Sequence, residues 1–176
     1  MFDVDFNIKV EHRNRCIWMS ISGMGYEVEN ELRALHTLLG AISAEHMCYL
    51  VTYDPLMIDQ LGISALDQAP MAADDDRATG YRLGEFDVMN IDERIAEVSD
   101  SAFYFCRADF DWTDFCAQYP GAYRSALDNK MMAIDGVDCC FLCGESGDYL
   151  FIKPQYVDEV ERFLMVMRDE GFRIRF

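Results

Sequence analysis

Positive charge is what this 176-residue sequence has least of: 15 Lys and Arg stand against 32 Asp and Glu, a formal net charge of -17. The deficit runs the whole length of the chain. Residues 1–88 hold 15 acids against 6 bases, residues 89–176 hold 17 against 9, and no Lys or Arg occurs between Ala34 and Asp76. The acidity therefore belongs to the whole surface and not to a tail. Such a field repels nucleic acid and anionic membranes and attracts cationic partners. The plainer use of the same charge is solubility.

Other absences exclude further classes. No apolar run approaches the roughly 18 residues that a membrane span needs. The opening MFDVDFNIKVEHRNR has Asp3 and Asp5 where a secretory leader needs a basic start and an unbroken apolar stretch. Both point to the cytoplasm, where the seven cysteines are expected to stay reduced. There is no Gly-rich phosphate loop, internal repeat, coiled coil or low-complexity segment. GESGD fails as a nucleophile elbow because Asp148 stands where the last Gly belongs. DFDWTDF begins like a calcium loop but carries Asp114 at its sixth position and Pro120 at its twelfth. His12 falls in a turn, His36 near an apolar helical stripe, and His46 near a helix C-terminus, where partial positive charge is favourable. No spacing pairs a nucleophile with a base. The expectation is no enzyme activity, no cofactor and no metal.

What is present is a core-forming pattern. Hydrophobic residues make up 51% of the chain and aromatics 13%, enough for one folded domain spanning residues 1–176. Phe2, Val4, Phe6, Ile8 and Val10 alternate with polar residues, the period of a strand with one buried face. EHRNR reads as a turn and CIWMSIS as the second strand of a hairpin. Val28, Leu32, Leu35, Leu39 and Ile42 then switch to helical spacing over residues 27–45, and MCYLVTY is strand-like. LMIDQLG reads as a short helical turn and ISALDQAPMAADDDRATG as a long exposed loop. Asn90 with Glu93 resembles a capping box for a helix to about Val98. AFYFCRA is a strand. Residues 111–134 are helical in pattern, broken at Pro120-Gly121. GVDCCFLC and DYLFIKP flank GESG as a hairpin, followed by a helix from Pro154 to Asp169 that Gly171 stops. FRIRF closes as a strand with Arg173 and Arg175 on one face. The fold class is α+β, a mostly antiparallel sheet with helices packed on it.

Three cysteines crowd DCCFLC. In a strand, Cys139, Phe141 and Cys143 share one face and Cys140 and Leu142 the other, so Cys140 and Cys143 point apart. A zinc knuckle needs a tight turn at Phe141-Leu142, both poor turn residues, and two further ligands. A redox pair needs a helix to follow, where GESGD instead reads as a turn. The stretch is read as a core strand with buried thiols.

The candidate binding residues lie in two acidic stretches. RADFDWTDFCAQY interleaves Asp109, Asp111 and Asp114 with Phe110, Trp112 and Phe115. Trp112 is the candidate anchor, since large aromatics among charges are a common interface composition. The same residues have a structural reading, in which Asp111 caps a helix whose Phe115 and Tyr119 turn to the core. Asp74, Asp75 and Asp76 form the second stretch, with a solvated loop as its plain alternative. In size, charge and lack of a catalytic signature, the chain resembles the bacterial immunity proteins of polymorphic and contact-dependent growth-inhibition toxin systems. That resemblance implies one cognate partner, often a basic nuclease or other toxin domain, bound in the cytoplasm without nucleic acid or membrane. Opposite charge then speeds capture. The alternatives are a DNA-mimicking inhibitor of DNA-binding proteins, and a cysteine- or metal-dependent enzyme.

Overall fold

The computed structural model describes residues 6–23, 29–52, 65–69, 79–83, 101–118, 135–144 and 147–176. The opening alternation forms β1 (Asn7–Arg13) and β2 (Cys16–Ser22), paired antiparallel. Their turn has positive φ at both Asn14 (49°) and Arg15 (61°), the twist that a two-residue hairpin loop requires. The helical stripe forms α1 (Glu29–Ser43), and β3 (Met47–Thr52) follows. Next come β4 (Ala65–Ala69), β5 (Thr79–Leu83) and β6 (Ser101–Cys106), then α2 (Trp112–Gln118). The chain closes with the hairpin β7 (Val137–Gly144) and β8 (Gly147–Ile152), a 3-10 turn at Pro154–Tyr156, α3 (Val157–Asp169) and β9 (Arg173–Arg175). Gly171, at φ 97°, ends α3, as a left-handed residue past a helix terminus does.

These strands make one sheet in the order β4-β5-β3-β6-β7-β8-β2-β1-β9. Every pair is antiparallel except β1 with β9. The α+β, largely antiparallel reading therefore holds. The middle of the chain departs from the pattern-based expectation, because the segment read as a long loop contains β4 and the first two residues of β5. Their sequences, ALDQA and TGYRL, lack sustained alternation, and β5 is drafted into the sheet by pairing along β3. Such recruitment is set by the neighbour and not by intrinsic propensity. The helix expected from Asn90 to Val98 and the second helix of residues 111–134 lie outside the described residues.

Both faces of the sheet are covered at its centre, and all six residues of β6 are buried. On one face Ile8, Met19, Leu50, Phe103, Phe105, Phe141 and Leu150 meet α1 (Leu35, Leu38, Leu39, Ile42) and α3 (Val160, Phe163, Met167). On the other, Tyr49, Val51, Tyr104, Cys140, Leu142 and Phe151 pack with Trp112 and Phe115 of α2. Each large apolar side chain so buried is worth about 1.5–3 kcal/mol. Two buried hydroxyls pair across β3 and β6, where Ser101 Oγ donates to Thr52 Oγ1 at 2.9 Å. Among the described residues no helix is long and apolar enough to cross a membrane.

Candidate functional site

The acidic segment 107–118 forms a corner where β6 leaves the sheet. Arg107 N–H donates to Gly136 O at 2.8 Å, tying the end of β6 to the start of β7, and Phe110 N–H closes a turn on Arg107 O. Asp111 then caps α2: its Oδ1 accepts the Asp114 N–H at 2.9 Å, and its carbonyl accepts the first helical bond from Phe115 at 3.0 Å. An Asp in that position satisfies an otherwise orphaned donor, and Asp114 in the first turn faces the positive end of the helix. The capping reading of Asp111 and the core reading of Phe115 therefore both hold, while Tyr119 lies outside the described residues.

Trp112 sits inside. It is 4% exposed, stacked on Tyr49 with centroids 4.3 Å apart and planes within 2°, and in contact with Tyr104 and Phe115. This corrects the view of Trp112 as a surface anchor. A helix that starts at an Asp cap turns its first residue toward the sheet here, because Trp112 and Phe115, three apart, share the inner side of α2. The carboxylates are thereby turned out. Asp109, Asp111 and Asp114 are all exposed, and they stand on a support that the aromatic cluster holds firmly. Asp74, Asp75 and Asp76 lie outside the described residues.

The fold adds a fourth carboxylate that spacing did not suggest. Asp135, just before β7, reaches the same corner: Arg107 contacts Asp135 Oδ1 at 2.8 Å and Asp109 Oδ1 at 3.6 Å. The side chains of Asp109 and Asp135 are 81% and 93% exposed. The carboxylate of Asp135, and to a lesser degree that of Asp109, holds the Arg107 guanidinium above its ordinary pKa. Ion pairs this exposed contribute little stability. Their consequence is orientation: one guanidinium holds two of the four carboxylates, and the corner stays negative.

Cys16, Cys48, Cys106, Cys139 and Cys140 occupy the interior. Cys139 joins Phe141 on the helix-covered face and Cys140 joins Leu142 on the opposite face, the alternation expected of a core strand. Burial pushes the thiols of Cys48, Cys139 and Cys140 well above their ordinary pKa, which keeps them protonated and poorly nucleophilic. Among the described residues no group of three or more His, Cys, Asp and Glu is placed to hold a metal ion.

A partly buried polar cluster lies beyond what spacing could reveal. His46, just past α1, donates from Nδ1 to Ile42 O at 2.6 Å, satisfying a carbonyl of the last helical turn. Its Nε2 lies 3.0 Å from Asp138 Oδ2, and both side chains are below 10% exposed, at 4% and 8%. Gln155 Nε2 donates to the same carboxylate oxygen at 3.1 Å, and the Tyr156 hydroxyl lies 3.4 Å from His46 Nε2. The cluster ties α1, β7 and the turn before α3 together. The His46 and Asp138 side chains are shielded while Gln155 lies at the surface, and the cluster has the character of a structural clasp. His46 and Asp138 are 92 positions apart, and no local pattern marks such a pair. His36 is buried on α1 at 6% exposure, in keeping with its place near the apolar stripe.

No protein-family model, curated protein or solved structure matches this chain.

Proposed function

We propose that the protein is a binding inhibitor of the immunity-protein type, which captures a basic partner, such as a toxin domain, in the bacterial cytoplasm. The observation that carries this reading is the corner of Asp109, Asp111, Asp114 and Asp135, exposed on a rigid aromatic support. Preset carboxylates lose little freedom on meeting Lys and Arg side chains, and a field of -17 steers such a partner toward them. Neither nucleic acid nor an anionic membrane suits that field.

The test is kinetic. A cationic partner, sought first among the products of adjacent genes, is expected to bind with an association rate that falls steeply as salt rises. Asp109→Asn combined with Asp114→Asn and Asp135→Asn should slow association about threefold or more, with a smaller change in dissociation. Unchanged association in this variant would remove the corner from the interface. Equal affinity for several unrelated DNA-binding proteins would favour the DNA-mimic alternative, and tight binding to duplex DNA at physiological salt would contradict both readings.

A further inference from the structure

The β9 edge of the sheet has the opposite character. Among the described residues, β9 is the last strand and pairs only with β1. Arg173 N–H donates to Phe6 O at 3.1 Å. Since backbone groups alternate sides along a strand, Ile174 directs its own N–H and C=O toward the open edge. Arg173 and Arg175 are exposed and share one face with Lys9, which stands opposite Arg175 in register. Glu11, on β1, is already engaged by Lys9 and Arg13. Neither Arg173 nor Arg175 has an ion-pair partner among the described residues. On the other face, beside Ile174, lies a groove of about 460 Å³ lined by Leu164, Met165, Arg168, Glu161, Ile174 and Phe176. Met165 is 57% exposed and Phe176 91%.

We propose that the β9 edge binds an extended segment of another protein as an added strand, one that alternates acidic with large apolar side chains. The pattern follows from the pleat. Residues opposite Arg173 and Arg175 point to the cationic face and require carboxylates. The residue opposite Ile174 points to the groove and requires an apolar side chain. The outward N–H and C=O of Ile174, which no described strand pairs, supply the main-chain pairing.

A second copy of the chain fits less well. Two β9 strands related by a two-fold axis at Ile174 would set Arg173 of each against Arg175 of the other, and like charges directly opposite are destabilising. Nucleic acid has no peptide groups to continue the ladder. The negative charge elsewhere on the protein is screened beyond about 8 Å at physiological salt, so it opposes the approach of an acidic strand more than its contacts.

The probe is a capped eight-residue peptide alternating Glu with Leu, measured by fluorescence anisotropy alongside a peptide in which Ser replaces Glu. Saturable binding of the Glu peptide is expected, with the Ser peptide at least about tenfold weaker. Ile174→Pro removes the outward N–H while leaving the bonds to β1, a substitution that edge strands tolerate, and should weaken binding about tenfold or more. Arg173→Glu with Arg175→Glu changes only exposed side chains and should do the same, which keeps the test decisive if Ile174→Pro melts early. Asp109→Asn with Asp114→Asn should leave peptide binding unchanged, so this edge and the acidic corner succeed or fail separately. No saturable binding, or equal affinity across these variants, overturns the proposal. So does a dimer in sedimentation velocity that Ile174→Pro dissolves, or an RNA oligonucleotide that binds the edge in place of the peptide.

Discussion

The acidic corner and the cationic edge are both small clusters of charge, but the core supports them very differently. At the corner, β6 is buried on both faces and α2 is pinned by Trp112 and Phe115 against Tyr49 and Tyr104. At the edge, a three-residue strand pairs with β1 and rests lightly on α3, with Phe172 and half-buried Ile174 as its links to the core. The comparison teaches that charge on a surface acquires geometry from what lies beneath it. Carboxylates over a packed aromatic cluster have a fixed support, whereas charges on an edge strand have little beneath them.

The comparison breaks first at Trp112. Trp112→Ala removes the stack on Tyr49 and should cost about 3–5 kcal/mol, read as a fall in the urea midpoint, with the corner losing its support and the edge keeping its fold until global unfolding. Next is the clasp below the start of β7. Asp138→Ala leaves His46 and Gln155 facing an emptied site and should cost about 3 kcal/mol. If urea titration shows a loss under about 0.5 kcal/mol, the clasp does not hold these elements together. A smaller effect is expected at Gly136, whose φ is 95° and whose added Cβ would lie 2.6 Å from Phe110 Cδ2. Gly136→Ala should therefore cost about 1–2 kcal/mol. Phe110→Ala in the same chain should recover the part due to the clash and not the part due to backbone strain, a separation that a double-mutant cycle measures. The smallest effect belongs to the edge. Phe176→Ala, at 91% exposure, should change stability by less than about 0.5 kcal/mol, while weakening any strand bound over the groove. A large loss of stability there would mean that the edge is packed as firmly as the corner.

Much of the fold was legible where one local rule sufficed. The alternation from Phe6 to Val10 and in CIWMSIS, the spacing of Leu35, Leu39 and Ile42, and Gly171 after a helical run all act over a few residues. DCCFLC was legible for the same reason, since a period of two settles which thiols share a face. The site was legible only in part. Asp109, Asp111 and Asp114 announce themselves as acids, but whether Trp112 stands out or turns in depends on Tyr49 and Tyr104, which lie far away in the chain. Asp135 joins the corner only because β6 and β7 pair.

The sequence by itself determined the charge of the surface, the strands and helices with strong period, and the opposed faces of Cys139 and Cys140, because each depends on composition or on near neighbours. Tertiary structure alone decided that β4 and β5 are strands, that Trp112 is core, that His46 meets Asp138, and that Arg173 and Arg175 lie on an open edge. Each of these depends on which distant segments pair, and pairing is chosen by the burial of whole faces at once, a quantity that no single stretch of chain contains.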